Sequence, residues 1–228
     1  MLELSDSNHF RRLVAGFCLI AAPTVLLVGA ALHPLIEQGG AGHLDVVREN
    51  PDRYFAAHAI LLAGLILFLP AVLGLMHLLR QRAPALGHLG GGLAMIGLFG
   101  VTAIVAVDGI AVSQMGQPGA SVEEMAALID RIKASVGLRV IAVVAGISLL
   151  SGVLMLAYGT WRAEAAEPWT AGVMAVAAIV FFLGQVTDNS AIFAVAFATY
   201  LVALGPLGWK TFARSDDEWA NGRGMRPG

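Results

Sequence analysis

An aspartate inside a long apolar stretch is where this chain first offers chemistry. Asp108 interrupts AIVAVDGIAV. A carboxylate at mid-membrane costs about 2.5–3.5 kcal/mol on insertion scales, so its presence calls for a partner or a use. His58 lies about two helical turns into the preceding apolar run, and Arg139 stands near the start of the following one. His33 closes the first run, while Gln185, Asp188 and Asn189 gather at the junction of the last two. Alternating spans put all of these groups in the outer half of a membrane domain. A carboxylate with an imidazole is the usual equipment for proton transfer at a bound substrate, which makes Asp108 and His58 the candidate catalytic pair. His33, His58, Asp108, Arg139, Gln185 and Asp188 form the candidate ligand-binding set. The architectural alternative makes Asp108 and Arg139 a salt bridge between two spans, lets the histidines donate to nearby carbonyls, and leaves Asp188 and Asn189 as turn and cap residues.

Metal and haem are weighed by spacing. His33 and His58 fall at one depth, His77 and His88 at the other, a layout superficially similar to two-haem, six-helix cytochromes b. Those proteins take paired axial histidines from their central four helices, whereas here every histidine precedes the fourth span. Neither an HExxH motif nor a cysteine–histidine cluster is present, so the expectation is no metal and no cofactor. The lone Cys18, inside an apolar run, reads as a buried, inert thiol.

The elements that carry these residues are apolar and long. The stretch Asn50 to Arg80 is the best marked, with Asn50 as N-cap, Pro51 in the first turn, Asp52 at the positive end of the dipole, and Tyr54 and Phe55 at an interface. Before it, Arg11 and Arg12 precede a run from Leu13 to Leu32 that approaches the ~20 residues of a true span and exceeds a signal-peptide core. Further spans are expected near residues 89–112, 138–158, 170–186 and 191–209, giving six. Gly90, Gly91, Gly92, Gly97 and Gly100 leave one side of the third nearly bare, which suits close packing in lipid. No strand or Walker lysine makes them a phosphate loop.

Two polar insertions interrupt the pattern. HLDVVREN is a short amphipathic piece suited to a membrane surface, and SVEEMAALIDRIKAS has the capping-box order Ser121-x-x-Glu124 followed by apolar residues at helical spacing. The fold expected is all-α: a polytopic membrane bundle of six transmembrane helices plus an extracytoplasmic amphipathic helix. Residues 1–10 form a cytoplasmic segment, 11–212 the six-helix domain, and 213–228 an unstructured cytoplasmic tail. Composition agrees, with 57% hydrophobic and 13% charged residues and a mean hydropathy of +0.76. A net charge of -2 with dispersed basic residues argues against nucleic acid. Arg11, Arg12, Arg80, Arg82, Arg162, Lys210 and Arg214 flank one side, against Arg48, Arg53, Arg131, Lys133 and Arg139 on the other. That imbalance puts both termini in the cytoplasm of a cell whose plasma membrane the chain spans. An inverted three-plus-three repeat, as in many transporters, has no convincing internal similarity behind it.

LHP at the end of the first span, NPDRYFAAH opening the second and LPAVLGLMHLLR closing it resemble a group of uncharacterised bacterial multi-pass membrane proteins. The likeness covers about the first third of the chain; it implies a six-span fold and brings no activity. The functional expectation is an integral membrane protein with an outward-facing polar site that binds or handles a small lipophilic molecule. The lipid bilayer is its surrounding partner. The alternatives are a membrane enzyme using Asp108 and His58, and a structural subunit whose polar residues only pack helices.

Overall fold

The protein is described by a computed structural model over residues 7–35 and 39–221. Six helices are long and apolar enough to cross a membrane: Ser7–Leu32 (α1), Pro51–Leu79 (α3), Pro84–Met115 (α4), Val136–Arg162 (α6), Pro168–Thr187 (α7) and Ser190–Ala213 (α8). Between them lie Gly39–Glu49 (α2) and Val122–Ala134 (α5), and Asp216–Asn221 (α9) follows the last. No strand occurs among the described residues. The chain is thus a multi-pass, all-α integral membrane protein.

Local signals account for the helix ends. Prolines occupy the first turn of α3, α4 and α7, where the missing N–H costs nothing. Ser121 Oγ accepts from Glu124 N and Ser135 Oγ from Leu138 N, both at 3.3 Å. Asp188 adopts a left-handed φ of 49° and Asn189 caps α8 through Ala191 N and Ile192 N, which is the turn-and-cap role expected of them. Asn50 does stand at the start of α3, but its side chain makes no cap hydrogen bond.

The six spans close into a ring in chain order: α1 packs on α3, α3 on α4, α4 on α6, α6 on α7, α7 on α8, and α8 back on α1. The α4–α6 seam is among the closest. A Cβ on Gly97 would stand 2.5 Å from Leu149 N, and one on Gly152 would strike the Ala94 backbone, so only glycine lets these two backbones meet. Outward faces carry exposed Phe17, Ile66, Phe99, Ile147, Ile179 and Val202, a pattern for hydrocarbon rather than water.

The two ends of the ring differ. At one, α2 and α5 pack together, and Leu44, Val47 and Ile129 join Tyr54 and Val112 in a small second core. Gly40 N donates to Asp130 Oδ1 at 2.8 Å across this pair. The α2 segment, expected as a surface piece, therefore owes its order to α5.

At the opposite end the segment after Ala213, expected to be unstructured, folds back as α9. Its Trp219 is buried and stacks on the His77 ring at 4.0 Å between centroids. Arg80 Nη2 donates to the carbonyls of Trp219 and Ala220 at 2.6 and 2.7 Å, and Arg12 Nε donates to Asp216 Oδ1 at 2.8 Å. A cluster of cations at the ends of α1 and α3 is what captures this acidic, tryptophan-bearing turn. Residues 1–6 and 222–228, the remainder of the expected terminal segments, lie outside the described residues.

Candidate functional site

At the end where α2 and α5 pack, the ring holds a half-open cavity of about 580 Å³. Its deeper wall is apolar, built from Leu26, Leu65, Val101, Phe181 and Phe197, and its upper wall is polar. His33, His58, Asp108, Arg139, Gln185 and Asp188, the residues singled out in the sequence, all line it. Ile129, Ile132 and Lys133 of α5 line it too, so the amphipathic helix lies against the cavity.

The α4 helix changes pitch where its aspartate sits. Asp108–Val112 is a single π turn, a feature frequent at functional sites because it re-aims side chains within a helix. The same turn brings Gly109 against α3, where a Cβ would strike the His58 side chain. Glycine at this position is therefore a condition of the Asp108–His58 approach.

His58 is 3% exposed, and its Nε2 stands 3.2 Å from Asp108 Oδ2. Its Nδ1 stands 2.9 Å from the Tyr54 carbonyl one turn earlier. A carbonyl can only accept, so Nδ1 carries a hydrogen and Nε2 is the nitrogen turned toward the carboxylate. His33 follows the same rule: its Nδ1 donates to the Pro34 carbonyl at 2.8 Å, and its ring lies 4.8 Å from that of His58. Desolvation, followed by the neighbouring His58, pushes His33 down to about 4, so it is neutral near pH 7.

His43 on α2 completes the cluster from above. Its Nε2 lies 2.9 Å from the Tyr54 hydroxyl and 3.9 Å from Asp108 Oδ1, and its Nδ1 has no partner among the described residues although it is buried. Burial pushes this imidazole below its ordinary range, against the pull of Asp108. Asp108 thus faces His58 with one oxygen and His43 with the other.

The expected Asp108–Arg139 salt bridge does not form. Arg139 is exposed, and its Nη2 donates to the Ala134 carbonyl at 2.7 Å. Asp108 instead points toward α3, because Gly109 lets that helix come closest where the π turn redirects the carboxylate. Asp188 lies at the cavity mouth in an exposed ion pair with Lys133, 3.2 Å. Gln185 Nε2 donates to Ala142 O at 3.2 Å, while its Oε1 rests over Gly146 with no hydrogen-bond partner among the described residues.

His77 and His88 do not form a second pair at the other end. His77 Nε2 donates to the Trp219 carbonyl at 3.1 Å, and His88 is exposed with Nδ1 on the Pro84 carbonyl. Nor is His33 a freely solvated helix end, since it packs on His58 and Tyr54.

His43, Tyr54 and Lys133 belong to the site and escaped the sequence reading. Tyr54 had a signal, because it shares a helical face with His58 four residues on. His43 had none, since its position depends on how α2 docks against α5. Comparison of the chain with protein-family models, with curated proteins and with solved structures finds no match, so no relative's activity transfers to this site.

Proposed function

We propose that this protein binds or handles a small lipophilic molecule in the cavity beneath α2 and α5, with the molecule's polar end against Asp108 and the histidines. The observation that carries this reading is a half-open pocket of about 580 Å³ with a mostly apolar lining and Asp108 and two histidines on its polar side. That volume falls within the range of ordinary small-molecule sites. A purely structural role for the polar residues predicts a filled bundle instead.

Titration with a fluorescent single-chain probe, dansyl-undecanoic acid, tests the reading on purified protein in nanodiscs. Val105 lines the cavity and Ile66 faces outward. Filling the space with Val105→Trp should weaken the probe about tenfold or more, as loss of apolar burial demands, while Ile66→Trp should leave it unchanged. Equal binding to both variants would place the probe on the lipid-facing surface and end the proposal.

A second reading, acid–base catalysis on the bound molecule, is favoured by one observation: the 3.2 Å approach of His58 to Asp108 at the polar wall. Turnover of a bound molecule that is lost in Asp108→Asn with binding retained would separate catalysis from carriage.

The basic-residue imbalance supports an outward-facing site with cytoplasmic termini in the plasma membrane. Exposed positions Gln117 and Glu164 lie at opposite ends of the bundle. With Cys18 replaced, Gln117→Cys should react with an impermeant thiol reagent on intact cells and Glu164→Cys should not. The reverse labelling would invert the topology.

A further inference from the structure

We propose that His33, His58 and Asp108 form a binding site for a first-row divalent transition-metal ion, with zinc as the natural probe. This goes beyond the proposed small-molecule role and does not depend on it.

The three residues come from three elements: the end of α1, the second turn of α3 and the π turn of α4. Each offers one ligand atom, and these atoms all lie within 4.8 Å of one another. Two imidazoles and one carboxylate with open positions are a donor set suited to catalytic zinc or non-haem iron(II).

The hydrogen bonding prepares these atoms for a cation. On both histidines the Nδ1–H is spent on a backbone carbonyl, Tyr54 O for His58 and Pro34 O for His33. This fixes the tautomer in which Nε2 presents its lone pair, the arrangement by which metal-binding histidines are oriented from behind. His58 Nε2 then faces Asp108 Oδ2 at 3.2 Å, two atoms that share one hydrogen in the metal-free protein and that a cation would bridge in its place. Bond lengths of about 2.0–2.2 Å at tetrahedral angles put neighbouring ligand atoms about 3.3–3.6 Å apart. The observed 3.2 Å is within a few tenths of an ångström of that spacing, and a modest inward turn of His33, whose ligand atom lies within 4.8 Å of the others, would complete the set.

The surroundings suit the same role. His43 lies beside the second carboxylate oxygen, 3.9 Å away, and the open side of the cluster faces the cavity. An ion held here would present its free positions to whatever molecule the cavity receives.

Zinc titration of metal-stripped, full-length protein tests the site. Wild type should take one equivalent per chain. Asp108→Asn and His58→Gln should each weaken binding on the order of 100-fold or more, since losing a ligand costs no less than losing the group that orients one. His88→Gln, an exposed histidine at the far end, should change nothing. Zinc-edge X-ray absorption on the wild type provides a readout independent of variant folding and should count two imidazoles and no sulfur. Failure of wild type to bind zinc, unchanged affinity in Asp108→Asn, or a ligand shell without two imidazoles would each overturn the proposal. Probe binding by dansyl-undecanoic acid in the metal-free protein would be untouched by any of these failures.

Discussion

Replacing Trp219 with alanine lowers the stability of the detergent-solubilised protein by about 3–5 kcal/mol, the range for deleting a large buried aromatic side chain. The ring is 2% exposed and stacks on His77. Its removal leaves a cavity between α9 and the ends of α1 and α3, while the carbonyl that receives Arg80 and His77 stays in place. The loss is one of packing rather than of hydrogen bonds. Denaturant unfolding measures it, with Trp209→Ala as the comparison, because Trp209 is exposed and its loss should stay within about 0.5 kcal/mol. Equal small effects at both positions would mean that α9 is not docked. The same turn has a pH signature. Asp216 is held below the usual carboxylate range chiefly by the Arg12 guanidinium. A depressed acid contributes above its unfolded pKa and loses that contribution as pH falls through the folded value. Docking of α9 should therefore persist at neutral pH and weaken only in strong acid.

What the sequence disclosed followed from one-dimensional properties. Apolar length gave the six spans, and Pro51, Ser121 and Asn189 placed helix starts within a few residues, because caps and first-turn prolines act locally. Position along the bundle was readable too. Counting along helices put His33, His58, Asp108, Arg139, Gln185 and Asp188 at one end of the bundle, and they line one cavity. Direction around each helix was not readable. A span apolar on every side carries no amphipathic stripe to say which face meets which neighbour, so Arg139 looked as good a partner for Asp108 as His58. The π turn adds a residue to one turn of α4 without any residue type that announces it. The tail failed for a related reason: α9 has six residues, too few to be helical alone, and is held by Arg12, His77 and Arg80, which are distant in sequence.

The partner of Asp108 can be read from coupling energies, and the expected result is strong coupling to His58 and none to Arg139. Removing one member of a hydrogen-bonded pair leaves its buried partner unsatisfied at a cost of about 1–3 kcal/mol, whereas removing both costs less than the sum. His58 is buried and meets Asp108 at 3.2 Å, so His58→Gln leaves the carboxylate with the Tyr54 hydroxyl and with His43 at 3.9 Å. Adding Asp108→Asn to that variant should then cost little. Arg139 is exposed and already bonded to the Ala134 carbonyl, so Arg139→Gln is predicted to be mild and its effect to add to that of Asp108→Asn within about 0.3–0.5 kcal/mol. Both cycles are measured in excess EDTA, which keeps loss of a bound ion from contributing to either. Additivity with His58 together with coupling to Arg139 would restore the α4–α6 salt bridge and remove the His58–Asp108 pair from the site. Coupling to His58 alone places the energetics where the geometry is, on the face that Gly109 opens between α3 and α4.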